Sequence, residues 1–489
     1  MDKSPGNGVW PAYVSAGGLV TALIVVILLG KPLYWAMAAG TLITWLCASV
    51  YARRPCGNAH RDIGGHDSLA TVLPAASAAA PDILLWAVSG VSRILNVLVL
   101  VVLIAAMTST WFASGTIQGL IYYGLSVIGP DQVLVAGFVL TTLVSLILGS
   151  SVGTVTTVGI AVTGIAGALG VPVGPVAGAL VSGAIFGDRV SLLSPILHLM
   201  VDTTGAKQDK VLKRVALTGG IAWAVSLAGY LALGARLGSS AGLQGLAWRT
   251  EYLGALREAV RISPVVIVPP VLVVLLAARK VPVRTCLLLG LVAGGLMALL
   301  YQGATPVALI RYAVLGFRGE SYPPVLSQAL RSSGLAGAIN MALLLLFAGA
   351  YTGIMESSDM MGAITGGLVG KLRSRASFLA GAMALSAASS ILASNQALSV
   401  VIPARVLSDK GREMGVPPES LAGAFADSGV ALAGVIPWNL MAAISGQALQ
   451  CPVVVYAPYA FLALALPIVG AMLILVEAWT DRHRASIKA

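Results

Sequence analysis

Charge is what this sequence has least of. Only 10% of its 489 residues are Asp, Glu, Lys or Arg, where a water-soluble domain carries roughly 25%. Most of the chain therefore cannot face water. Acids are the scarcer sign, 19 against 30 Lys and Arg, but the surplus of +11 does not point to nucleic acid. The basic residues cluster in short loops beside apolar runs, the pattern of cytoplasmic loops in a membrane protein. Cysteine is sparse too. Cys47, Cys56, Cys286 and Cys451 have neither metal-site nor disulfide spacing. No Gly-rich loop of the P-loop type is present, which excludes ATP-driven chemistry of that kind. No cluster of His, Cys and acids has the spacing of a metal centre. Nothing in the sequence suggests an enzyme or a bound cofactor.

What is there is apolar, 57% of the chain. A membrane-spanning helix needs about 20 apolar residues, and in lipid only helices and closed barrels satisfy their own backbone. The apolar runs are long and do not alternate, so the fold class expected is an all-α polytopic membrane protein. Spans are expected over residues 12–29, 33–50, 94–111, 133–148, 217–234, 265–278, 286–300, 337–354, 378–392 and 459–476. A weaker segment, 69–91, contains Pro74, Pro81 and Asp82 and reads as interfacial or re-entrant. The polar loop 52–68, the stretch 201–214, the basic turn 371–375 and the tail DRHRASIKA read as cytoplasmic, and 249–261 as an amphipathic loop. Both termini are thereby placed in the cytoplasm of a cell (inner or plasma) membrane. The first apolar run leads into a second span with no small-residue cleavage site, so it does not read as a signal peptide.

One stretch has an echo. SLILGS at 145–150 returns as SSILAS at 389–394, and LGVPVGPVAGAL at 169–180 returns as MGVPPESLAGAF at 414–425. Gly170 matches Gly415 at an offset of 245, close to half the chain, which indicates a whole-chain duplication and not a local motif. Two inverted repeats with broken or re-entrant helices and 11–13 hydrophobic segments are expected, because Gly- and Pro-interrupted segments at corresponding places mark the site where two such halves meet. The divisions expected are 1–93 (first spans and loop), 94–236 (first repeat), 237–336 (connecting spans) and 337–489 (second repeat and tail).

Each copy holds one deep acid, Asp188 and Asp427. A carboxylate inside a membrane is costly and usually faces a bundle interior or a cavity. As functional groups both would bind a proton or a monovalent cation such as Na+, in competition. The structural alternatives are a helix-end cap or an ion pair with Arg189 for Asp188, and a hydrogen bond to hydroxyls of the first copy for Asp427. Ser151 and Thr154 either line the site or bond back to their own helix. Asn395 and Gln396, in the break LASNQALS, and Ser428, Trp438 and Asn439 near the second acid are uncharged candidates. Trp438 follows Pro437, where a helix is interrupted. Glu356 reads as a boundary cap, and Asp202 as part of a loop.

The same residues carry a family resemblance. TWFASGTIQGLIYYGL at 110–125, GSSVGTVTTVG at 149–159, GAIFGDRVSLLS at 183–194, GIMESSDM at 353–360, ADSGVALAGVIPWN at 426–439 and YAPYAF at 456–461 resemble the NhaC-type Na+/H+ antiporters, a family that includes a malate/lactate exchanger. The resemblance covers most of the chain after about residue 90. In the family pattern, Gly-Asp is followed by Ser-Pro-Leu-Ser-Asp-Thr-Thr-Asn. Here Ser191, Leu192, Leu193, Ser194, Pro195, Ile196, Leu197 and His198 stand in that run. His198 takes the amide position, and a second family acid corresponds to Asn395. Asp188, Asp427, Trp438 and Asn439 are kept.

The resemblance implies a secondary transporter that exchanges a monovalent cation for a proton by alternating access, in contact with membrane lipid, with a homodimer left open. Two other readings stand beside it. One is ion-coupled exchange of a small organic acid or other metabolite, which the rewritten run at 192–198 favours. The other is a membrane sensor or scaffold that carries nothing.

Overall fold

A computed structural model describes residues 10–51, 80–319, 334–358 and 374–488, together with Tyr322, Ser332 and Met360. The polar loop 52–68 and most of the basic turn 371–375 lie outside the described residues. The chain is helical throughout this range. In order the helices are α1 (Trp10–Leu28), α2 (Tyr34–Tyr51), α3 (Ala80–Ala113), α4 (Thr116–Val127), α5 (Val133–Leu148), α6 (Ser151–Ala168), α7 (Val173–Val190), α8 (Pro195–Thr204) and α9 (Gln208–Ala259). They continue with α10 (Val268–Ala278), α11 (Val283–Leu300), α12 (Pro306–Leu315), α13 (Gly334–Ser357), α14 (Arg375–Leu392), α15 (Leu398–Glu413), α16 (Pro418–Phe425), α17 (Leu440–Ala448) and α18 (Phe461–Lys488). Among the described residues eight helices are long and apolar enough to cross a membrane, or up to eleven if each of three bent pairs counts as one span. This is a polytopic membrane protein.

Three expectations about the segments need correction. Residues 80–91 are not a separate re-entrant piece, because α3 runs unbroken from Ala80 to Ala113. Pro81 lies in its first turn, where a missing N–H leaves nothing unsatisfied. The charged segment after residue 234 is not a loop: α9 continues as one helix of 52 residues to Ala259, since it holds no Pro to stop it. The polar stretch 201–214 is helical except around Gly205–Lys207, between α8 and α9.

The chain divides into two compact units, Met1–Asn96 with Leu343–Lys371, and Val97–Ala342 with Leu372–Ala489. In the first, α1 and α2 pack as a hairpin turned at Gly30, whose φ is +61°. Helices α3 and α13 cross backbone to backbone. A Cβ on Gly90 would lie 2.1 Å from Gly349 O, and one on Gly353 would lie 2.3 Å from Trp86 O. Small residues at such a crossing let helices gain dispersion contacts that lipid cannot supply. Glu356 is the ion-pair partner of Arg93, so its place at the helix end is held by a charge on α3.

The second unit holds the duplicated segment, and here the 245-residue offset recurs in the backbone. α5 and α14, α6 and α15, α7 and α16, and α8 and α17 occupy corresponding stretches. Gly170 and Gly415 are both left-handed, at +67° and +64°, each ending a helix before a Pro that starts the next. Gly205 and Gln450 are likewise left-handed, at +68° and +50°. The breaks are capped in parallel. Ser150 and Asn395 accept from the N–H of Gly153 (3.1 Å) and Ala397 (2.9 Å), and Ser194 and Asn439 from Leu197 (3.3 Å) and Met441 (3.2 Å).

Each copy also contains a π turn, at Val155–Gly159 inside α6 and at Ala426–Val430 after α16. The second adds a residue to its helix. Gly183 packs against Thr141 in the first copy, whereas Gly429 packs against Ser386 in the second, one position later than the offset predicts.

Candidate ion-binding site

Asp188 lies in the last turn of α7, buried, beside the break between α5 and α6. Its Oδ2 accepts from the Ser151 N–H at 3.2 Å and the Ser151 hydroxyl at 2.9 Å. The carboxylate thus sits at the N-terminus of α6, where free N–H groups and the helix dipole favour negative charge. The other oxygen, Oδ1, is buried with no hydrogen-bond partner. A buried acceptor left open is costly, which makes Oδ1 the position where a cation or proton gains most.

The neighbouring hydroxyls are differently engaged. Ser191 Oγ donates to Leu146 O at 2.8 Å, which ties the end of α7 to α5. Ser194 caps α8. Thr154 bonds back to Ser150 O at 2.8 Å, the local alternative expected for it. His198 is exposed and its Nδ1 lies 2.8 Å from Ser194 O, one turn back. Leu192, Leu193 and Pro195 are exposed too. The part of the rewritten run that faces inward is therefore Ser191, Ser194, Ile196 and Leu197. Asp202 is exposed at the end of α8.

Asp427 lies in the second π turn and is not an open carboxylate. Its Oδ1 accepts from Arg189 Nη2 at 2.6 Å and from the Thr218 hydroxyl at 2.8 Å. The two charged side chains are 1% and 2% exposed. Arg189 also donates to Ala426 O at 2.9 Å. Arg189 is thus the partner of Asp427 in the other copy and not of adjacent Asp188, and the Asp427 hydrogen bond to a hydroxyl goes to Thr218 on α9. Thr218 escaped the sequence reading altogether. Arg189 carried a signal, because an arginine in a deep apolar run must find a counter-charge.

Around the second break, Gln396 donates to Val430 O at 3.0 Å and Trp438 Nε1 to Ile391 O at 2.7 Å. Ser428 bonds to Ala424 O in its own helix at 2.7 Å. Asn395 is exposed. Asn439 is fully buried, and its Nδ2 has no partner. Helix α17, which Asn439 caps, packs on the first two turns of α6, the helix that holds Asp188. The two copies therefore meet at several places, among them α6 against α17, α8 against α15 and α16, and Arg189 against Asp427.

A second charged cluster lies near the start of α9. Lys210 pairs with Glu419 at 3.5 Å, and Arg214 with Glu477 at 2.5 Å, with Arg375 3.9 Å from the same carboxylate. Two of the basic residues read as marking a cytoplasmic loop are thus also structural, joining α9 to α16 and α18.

Comparison with known proteins agrees with this architecture. Residues 237–478 match the Na+/H+ antiporter family. Over that stretch the chain is similar to the family. It is 28% identical over 368 residues to the Na+/H+ antiporter NhaC of Alkalihalophilus pseudofirmus, covering 75% of this chain and 78% of that protein. It is 26% identical to the malate-2H+/Na+-lactate antiporter of Bacillus subtilis, covering 78% and 82%. It is also 26% identical to the arginine/ornithine antiporter ArcD of Halobacterium salinarum, covering 76% and 77%. Antiporters carry solutes and transform none, so the chain is of a transporter kind and not an enzyme. The family match spans Asp427 and the second break, while Asp188 lies outside it.

Proposed function

We propose that this protein is a secondary antiporter of the cell membrane that exchanges a monovalent cation for a proton, with Asp188 as the carboxylate that holds either one. The observation that carries this reading is the open Oδ1 of a buried acid fixed at a helix N-terminus. Ser151 orients the carboxylate. The two helix breaks, one from each copy, supply backbone not committed to a helix, which is where transporters hold ions. Cation and proton compete for one carboxylate, and that competition couples their gradients. The site opens to one side and then to the other.

The test is flux. Purified protein in proteoliposomes with a pH gradient, challenged with Na+, Li+ or K+, dissipates the gradient with at least one of them. Asp188→Asn abolishes the response. A response retained by Asp188→Asn overturns the assignment.

A second reading is favoured by one observation. Asn439 Nδ2 is a buried donor without a partner, and a donor is of no use to a cation. It suits a carboxylate or hydroxyl of a small organic solute carried with the ion. Relatives named for malate/lactate and arginine/ornithine exchange support the same direction. A gradient that responds to an organic acid or amino acid, and to no cation alone, selects this reading.

A further inference from the structure

The proposed exchange uses Asp188 and leaves the second deep acid without a task. Asp427 is 2% exposed and ion-paired through one oxygen. Oδ1 already accepts from Arg189 and from Thr218. On the other side stands Gly470 of α18, where even a methyl group would come within 2.7 Å of Asp427 Cβ and 2.9 Å of Oδ2. Arg189 donates through its two terminal nitrogens to Asp427, to Ala426 O and to Thr218 Oγ1 at 3.2 Å, and its Nε is buried without a partner. A cation reaching Asp427 Oδ1 would have to displace a guanidinium that is itself 1% exposed.

We propose that Asp427 is a positioning residue and not a ligand of the exchanged cation. With Arg189 it forms a neutral clasp that joins the two copies and fixes the last turn of α7, on which Asp188 stands one residue before Arg189. This rests on the reading of Asp188 as the ion-binding carboxylate. The clasp crosses 238 positions of sequence and anchors three elements together: the end of α7, the second π turn and the first turns of α9. Gly470 gives the clasp room by bringing the α18 backbone against it.

The test separates a clasp from a ligand by removing its charges singly and together. The full chain is purified and reconstituted as wild type, Asp427→Asn, Arg189→Gln and the double variant, with Arg189→Lys as a milder change should the glutamine fail to fold. A single removal leaves one buried charge without a partner, whereas removing both leaves none, so each single variant is expected to lose about tenfold or more in exchange rate and the double to recover to within about threefold of wild type. The apparent KM for the cation in the double variant matches wild type, because no ligand has been removed. Melting midpoints in detergent follow the same order, low in the singles and restored in the double.

A double variant that melts like wild type yet is as inactive as Asp427→Asn would show that Asp427 is itself a ligand, and the proposal falls. It also falls if Asp427→Asn changes neither rate nor melting. If the wild type exchanges no cation at all, the reading of Asp188 fails instead. The clasp is then judged on the melting series, where recovery in the double supports it and additive loss overturns it.

Discussion

Asp188 and Arg189 are adjacent in sequence, yet their side chains pair with different partners. Asp188 reaches Ser151 at 2.9 Å, in its own copy, while Arg189 reaches Asp427 at 2.6 Å, in the other. Successive residues on a helix point about 100° apart, so neighbours of opposite charge on one helix do not face each other. The helix thereby presents a negative group to one side and a positive group to another. The positive one is neutralised by the second copy. The negative one keeps an oxygen free.

Ser151 is the first place to test that division of labour. A hydrogen bond to a charged group contributes about 1.5–3 kcal/mol. Ser151→Ala removes the hydroxyl bond and keeps the backbone one, so the apparent affinity for the exchanged cation should change by roughly tenfold or more. Ser151→Thr, which keeps the hydroxyl, should stay near wild type. Titration of the flux response with the transported ion reads both.

His198 separates the outward part of the rewritten run from the inward part. It is exposed and bonds only to the first turn of its own helix. His198→Ala should leave exchange within about twofold of wild type, because surface substitutions away from special features usually change little. A pH–rate profile that moves with this change would return His198 to the site.

The crossing of α5 and α7 has no room for a side chain. A Cβ at Gly183 would lie 2.3 Å from Phe138 O, and one at Gly187 2.4 Å from Ser145 Cβ. Gly183→Val should cost about 3 kcal/mol or more, since both helices would have to part. The expected outcome is loss of the monodisperse peak in detergent chromatography, with Gly167→Ala, a position with open space around it, as the control.

Gln450 is left-handed where the first copy has Gly205. An L-residue with a side chain pays roughly 1 kcal/mol for that conformation and glycine does not. Gln450→Gly should therefore raise the melting midpoint slightly, offset in part by the bond its side chain makes to Gln447 O at 2.7 Å. A clear drop would mean that this bond matters more than the backbone strain.

Much of this was legible in the sequence. Gly170 and Gly415, each followed by Val-Pro, announced two equivalent helix breaks, and scarcity of charge announced the membrane. Asp188 stood out because a lone acid in an apolar run needs a reason. The pairing of Arg189 was not legible, because it depends on which way a helix face turns and on a partner 238 positions away. The length of α9 was hidden for a different reason. Its mixed charges after Gly234 read as a loop, yet Ala, Leu and Arg are good helix formers, and no Pro interrupts the segment.

The duplicated backbone has not kept its charges in register. Counted past the residue that the second π turn adds, the counterpart of Asp188 is Gly434, and at the offset that matches the breaks the counterpart of Asp427 is Ser182. Ser182 Oγ accepts from the Tyr230 hydroxyl at 2.8 Å and from the Leu462 N–H at 3.3 Å, so neither counterpart position carries a charge. A machine built from two like halves could rest equally well on either side of its cycle. This one carries its open charge in one half and its closed pair across both, so in the proposed alternating-access cycle the two halves are expected to favour one resting side over the other.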